Sequence, residues 1–282
     1  MPYTLSTLLQ DIYAELGQFQ VSLATGGSAS TLLDASLAGK HSDDEWKGGA
    51  IFVVGSAGAA PEGEFAALAG FASSSGTFTL AASLGAAIEA GDRYGLASAY
   101  YPLETMIELA NAGLRALGDI PLVDDQTLVT GDGQSSYVAT LEWTRRRPLR
   151  IDYLAIPGLS AIDPWRTVHD WDFVPGMPGN PGLILFADAL PAGRPLRIWY
   201  QAAHPGLRAY DDPVAAALAP ELAVAAGAER ALHWQNARLG GSDAHLAARW
   251  EQAQSELANA RRSFPIWRPG RRAKMLTVGS RQ

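Results

Sequence analysis

The stretch Tyr101-Pro-Leu-Glu-Thr-Met-Ile-Glu-Leu-Ala-Asn-Ala-Gly-Leu-Arg-Ala-Leu117 decides how this chain is organised. Leu103, Ile107, Ala110, Leu114 and Leu117 recur at helical spacing and share one face. Pro102 suits a first helical position, and Gly118 suits the residue just beyond the last turn. The run therefore predicts an amphipathic helix. Upstream, Leu5, Leu8, Leu9, Ile12 and Leu16 predict another, with Thr4 as its cap and Gly17 as its end.

Between these helices the period changes. Gly49–Val54, Glu64–Phe71, Gly76–Leu80 and Asp92–Leu96 are short β-rich runs bounded by turn residues, with Ser73-Ser-Ser-Gly76 as a hairpin turn. The block is expected to be a small antiparallel barrel or sandwich of five or six strands, and the simplest topology packs the two helices together with residues 18–98 inserted between them, as a barrel. Beyond Pro121 the β character returns, with strands expected at Tyr137–Trp143, Leu149–Ile156, Val168–Val174, Leu183–Ala187 and Leu196–Gln201. Asp211-Asp212-Pro213 is expected to open a helical hairpin. Pro220 restarts it, Gly240-Gly241 breaks it, and Ser242-Asp243 caps its second helix, Ala244 to about Ser263. The expected class is α+β: a helical bundle and hairpin scaffold, an inserted small β-barrel, a second antiparallel β domain and an extended C-terminal arm. The expected segments are 1–17 with 99–120, 18–98, 121–205, 206–264 and 265–282.

Composition narrows the chemistry. Of 282 residues, 48% are hydrophobic and 18% charged, so a core is available and the surface is poor in charge. Partial coverage by neighbours and a simple bias toward Ala and Gly explain this equally well. With no cysteine, disulfides, Cys-ligated zinc and thiol catalysis are excluded. Met1-Pro-Tyr-Thr4 lacks the pattern of a signal peptide, and no apolar run is long enough to span a membrane, so cytoplasmic synthesis is expected.

Charge is unevenly placed. Leu257–Gln282 holds Arg261, Arg262, Arg268, Arg271, Arg272, Lys274 and Arg281 and no carboxylate. The whole chain carries 22 cationic and 29 acidic side chains; without those seven, 15 face 29, a net charge near −14. Pro265 and Pro269 forbid a continuous helix there. Phe264, Ile266 and Trp267 are apolar anchors, and Arg268, Arg271, Arg272 and Lys274 supply charge. Trp and Arg are the types enriched at interface hot spots. Ordering each arm residue costs about 1–2 kcal/mol, and burying a large apolar side chain returns about 1.5–3 kcal/mol. The arm is expected to dock on another protein subunit. Phosphate binding is disfavoured by the acidic body, although Phe264 and Trp267 are able to stack on bases.

Catalytic patterns are weak. His169-Asp170-Trp171-Asp172 brings an imidazole and two carboxylates together, but an exposed strand face beside a half-buried Trp explains it better. No Gly-x-Ser-x-Gly elbow is present. His41 with Asp43, Asp44 and Glu45, and the pair His233 and His245, lack metal-site spacing. Thr130-Gly-Asp-Gly-Gln134 lacks the nucleotide-binding glycine patterns and reads as a turn. No enzyme and no cofactor are expected.

The order of elements carries a resemblance. After the leading helix come Ala24-Thr-Gly-Gly-Ser28, Thr31-Leu-Leu-Asp34, Asp44-Glu-Trp-Lys-Gly-Gly49, Pro61-Glu-Gly63, Ser75-Gly-Thr-Phe-Thr79 and Gly91-Asp-Arg-Tyr94. The helix with Asn111-Ala112 follows, then Leu196-Arg-Ile-Trp-Tyr200, the Asp211-Asp212 turn and Pro220-Glu-Leu222. In this the chain resembles the head–tail connector (adaptor or neck) proteins of tailed bacteriophages. The resemblance implies a virion structural protein assembled in the host cytoplasm, with copies in a ring, commonly twelve, below the portal protein. It implies a C-terminal arm reaching the portal, a tail or neck protein beneath, and DNA passing through an acidic lumen. Another neck or tail ring protein, such as a tail terminator or tail adaptor, fits the same pattern. A carbohydrate-binding tail component using Trp143, Trp165, Trp171 and Trp199 as a platform is the alternative from another class.

Overall fold

The computed structural model describes residues 2–139, 147–156, 164–177 and 180–266. They fall into two compact units, Met1–Leu117 with His204–Ile266, and Gly118–Ala203.

In the first unit, α1 (Leu5–Glu15) starts where Thr4 accepts a hydrogen bond from the Thr7 amide. Leu5, Leu8, Leu9 and Ile12 are completely buried. The Tyr13 hydroxyl donates to the Tyr101 carbonyl at 2.7 Å, tying α1 to the entry of α2 (Leu103–Ala116). Two first-turn amides of α1 are also satisfied: Leu5 N–H donates to Asp212 O (2.9 Å) and Ser6 N–H to Tyr210 O (3.1 Å).

Between these helices run β1 (Phe19–Leu23), β2 (Gly26–Gly27), β3 (Thr31–Leu33), β4 (Ala50–Gly55), β5 (Phe65–Ala72), β6 (Thr77–Leu80) and β7 (Arg93–Ala97). They form one antiparallel sheet in the order β1-β7-β4-β5-β6-β3-β2. The expected barrel is not formed. β1 and β2 occupy the two ends of the order and are successive pieces of one run of chain, so no ladder joins them. The sheet's core gathers Leu32, Ile51, Phe78 and Tyr94, with Trp46 edge-on to Phe71. The β5–β6 hairpin turns at Gly76 (φ 71°), where a Cβ would strike the Asp34 carbonyl.

The second unit holds β8 (Ile120–Asp124), β9 (Ser136–Val138), β10 (Arg150–Leu154), β11 (Trp165–Val168), β12 (Trp171–Val174), β13 (Leu183–Phe186) and β14 (Leu196–Ala202). Two antiparallel sheets result, β11-β10-β14-β8 and β12-β13-β9. Their inner residues, among them Tyr137, Ile151, Ile184 and Ile198, share one core. The strand expected over Val168–Val174 is two strands. The chain breaks at His169-Asp170, and its halves join different sheets.

Back in the first unit, α3 (Pro220–Arg238) and α4 (Ala244–Ser263) form the hairpin. It does not open at Asp211. Asp212 instead accepts from the Arg208 and Ala209 amides in a turn, and Val214 N–H donates to Tyr3 O, which pairs this segment with the residues just before α1. Gly240 and Gly241, both left-handed at φ 65° and 69°, reverse the chain. α3 packs against α1, α2 and α4. At its crossing with α2, Gly113 lies so close to α3 that a Cβ would sit 2.6 Å from the Ala226 carbonyl oxygen.

The described residues thus form a mixed α/β structure of four helices and three open antiparallel sheets, not a helical bundle carrying a small barrel. Amphipathic periodicity located α1, α2 and α4, and Pro220 with Gly240-Gly241 bounded α3. Neither signal carried the long-range register that decides between a closed and an open sheet.

Candidate functional site

The root of the C-terminal arm is α4. Asp243 caps it, its carboxylate accepting from the His245 and Leu246 amides at 2.9 and 3.1 Å. Only Leu246 and Ala253 of this helix are buried. Its hold on the unit is polar as much as apolar. The Arg249 guanidinium donates to the Leu16 carbonyl (3.5 Å), and that of Arg261 to the Ala116 carbonyl (3.2 Å). Both acceptors lie at the C-terminal ends of helices, where a cation is favoured by the helix dipole. Trp250 donates its indole N–H to Glu229 at 3.0 Å and stacks on His233 at 4.9 Å between centroids.

Of the proposed interface residues, Phe264 and Ile266 are described. The Phe264 amide closes the last turn on Ala260 O at 2.8 Å, while the residue is 37% exposed; Ile266 is half-buried. Trp267, Arg268, Arg271, Arg272 and Lys274 lie outside the described residues.

A feature the sequence reading missed lies beside this root. α1, α3 and α4 enclose an open groove of about 670 Å³. Its floor is of small side chains, including Ala225, Ala228 and Ala253, and its rim carries Asp11, Glu15, Glu221 and Glu256. Asp11 accepts from the Tyr3 hydroxyl at 2.7 Å, and Glu256 from the Gln252 side-chain carboxamide at 2.7 Å. Burial, followed by the Asp11 carboxylate and then the charge of Glu221, pushes the Tyr3 hydroxyl far above its ordinary pKa. Among the described residues no Lys or Arg forms an ion pair with any of the four carboxylates. The signal in the sequence was the i, i+4 spacing of acidic and small residues, split between α1 and the α3–α4 hairpin far along the chain.

The other candidates serve the fold. His41 contacts Glu45 (3.1 Å), while Asp43 and Asp44 accept from the Ser73 and Phe71 amides, so the acidic loop staples strands and does not converge on a point. Among the described residues no three His, Asp or Glu side chains gather to hold a metal ion. His233 packs on Trp250, and the His245 amide serves the Asp243 cap. The Thr130–Gln134 turn is pinned by its own bonds: Thr130 Oγ1 donates to Pro191 O (2.6 Å), and Gly131 N–H donates to the Tyr137 hydroxyl (3.0 Å). Buried Asp34 accepts from Ser22, Tyr94 and the Ser36 amide. Burial alone would raise its pKa, but these hydrogen bonds outweigh that and hold it below the usual carboxylate value. The tryptophans of the supposed sugar platform are engaged as well. Arg197 stacks over Trp165 (4.1 Å), Arg147 over Trp171 (4.7 Å), and Trp199 donates to Asp152 (3.0 Å); Trp143 lies outside the described residues.

Among the described residues no helix is long and apolar enough to cross a membrane. Comparison of the chain with protein-family models, with curated proteins and with solved structures finds no match.

Proposed function

We propose that this chain is a structural, non-enzymatic virion subunit of the head–tail connector class. It assembles as a homo-oligomeric ring and anchors through its C-terminal extension on an adjoining subunit, either another copy or the portal ring above. One observation carries this reading: the lightly held helix α4 leads, through exposed Phe264 and half-buried Ile266, into a sequence rich in Arg and Lys and free of carboxylates. Attached to an acidic body, such an extension is complementary to surfaces like the one it comes from, and complementary surfaces on identical chains close into rings. The net negative charge of the body suits a passage through which DNA slides without adhering.

Negative-stain imaging and native mass spectrometry of the full-length protein test the reading. A closed ring that co-sediments with purified portal is expected. A ring that binds a tail component and ignores portal assigns the chain to another neck or tail layer. A protein that stays monomeric at every concentration overturns the proposal.

A further inference from the structure

The groove between α1, α3 and α4 has a chemically matched occupant within the sequence. At about 670 Å³ it has the capacity of a ligand or peptide site. Its alanine floor offers apolar surface with no bulk to fill it, so a large side chain is needed to exclude water. Its four rim carboxylates, Asp11, Glu15, Glu221 and Glu256, lack a cationic partner among the described residues. The complement of that description is a segment with one or two large apolar side chains followed by cations and no acid. Residues 264–282 have this composition: Phe264, Ile266 and Trp267, then Arg268, Arg271, Arg272 and Lys274.

We propose that the groove seats the C-terminal extension of a second copy of this chain. The inference rests on the ring reading above and names the adjoining subunit. The anchors lie on the alanine floor and the guanidinium groups reach the rim carboxylates. A neighbouring copy is the donor because Ala253, Glu256 and Ala260 of the groove's own wall belong to α4, the helix from which the extension leaves. A return to the same chain's groove would require the extension to reverse at once, since Ala260 of the groove wall lies only one turn before the end of α4. Each copy thus offers one groove and one extension, a head-to-tail contact that repeats around a ring.

Charge exchange in the full-length protein tests this. The groove variant is Glu15→Lys with Glu256→Lys, two exposed positions that make no bond to Tyr3, Glu15 lying one turn along α1 from Asp11. The arm variant is Arg268→Glu, Arg271→Glu and Arg272→Glu. Mass is read by sedimentation velocity, with circular dichroism melts as the folding control. Each variant alone is expected to associate at least about tenfold more weakly than the unaltered chain. An equimolar mixture is expected to recover association to within about threefold, because the substituted rim positions 15 and 256 then meet arm positions 268, 271 and 272 of opposite charge, and the unaltered groove meets the unaltered arm. If the groove variant unfolds, Glu15→Gln with Glu256→Gln replaces it, with a loss of about threefold expected. Rings that form equally well from the groove variant overturn the seat while leaving the ring reading intact. An unaltered chain that is monomeric removes both. Loss in each variant without recovery in the mixture also overturns the proposal, because contact between copies then does not depend on this pairing.

Discussion

Asn111 and Leu207 exchange two hydrogen bonds. The Asn111 carboxamide donates to the Leu207 carbonyl at 2.9 Å, and its oxygen accepts from the Leu207 amide at 2.8 Å. A third bond runs from the same carboxamide to the Ile107 carbonyl at 3.0 Å. A residue on α2 thereby completes the backbone of an extended segment that follows in sequence only after the second unit. Asn111→Leu leaves two buried backbone groups of Leu207 without partners and is expected to destabilise the first unit by about 3 kcal/mol. Denaturant unfolding of the variant checks this, and an unchanged midpoint would count against the bonds.

Gly113 predicts a reversal of the usual helix rule. In an exposed helix, Gly→Ala stabilises by up to about 1 kcal/mol. Here the new methyl would meet the Ala226 carbonyl oxygen at 2.6 Å and the Ala226 carbonyl carbon at 2.8 Å. Neither is a side-chain end that moves aside. Gly113→Ala is expected to lower stability by about 1–3 kcal/mol, measured as a lower melting temperature.

His204 gives the first unit a pH dependence. It is buried, its Nδ1 donates to the Pro205 carbonyl at 2.7 Å, and its Nε2 accepts from the Ala215 amide at 3.0 Å. That pattern requires the neutral ring. Burial lowers its pKa below the ordinary 6.5, the bond to Pro205 opposing in part. The unfolded chain then binds the proton more readily than the folded one. Stability is full above about pH 6.5 and declines as pH falls below it. Unfolding free energies measured between about pH 8 and 5 are expected to show this slope, and His204→Ala to flatten it while lowering the plateau.

The shape of the fold was partly legible beforehand. α1, α2 and α4 announced themselves because each has a capping residue or a Gly end and a clear apolar stripe. β4 to β7 were legible because turn residues bound them. β2 was not, since two glycines carry no side-chain pattern. β8 was hidden by Pro121, a residue tolerated here because this strand is at the edge of its sheet. The corner at His169-Asp170 was masked by alternation that continues across it. The arm was visible as composition alone. The acidic groove was not, because its four carboxylates come from three helices that only tertiary packing brings together.

Asp152 organises the four-stranded sheet of the second unit. It is fully buried on β10, with Arg150 Nε at 2.6 Å, Trp199 Nε1 at 3.0 Å and Arg197 Nε at 3.8 Å. Asp152→Ala removes the buried carboxylate that Arg150 and the Trp199 indole share and is expected to cost about 3 kcal/mol. Asp152→Asn keeps an acceptor for Trp199 and is expected to lose less. Equal losses in chemical denaturation would show that the negative charge contributes nothing.

Helices α3 and α4 run side by side yet are held very differently. α3 is covered by three other helices, whereas α4 rests on Leu246 and Ala253, two arginine-to-carbonyl bonds and the Trp250 indole. In heavy water the amides of α4 should therefore trade their protons well before those of α3, since local opening there exposes so little apolar surface. A neighbour that grips the end of α4 is pulling on the handle of the molecule that yields first, and tension between subunits would be felt there before it reached either sheet.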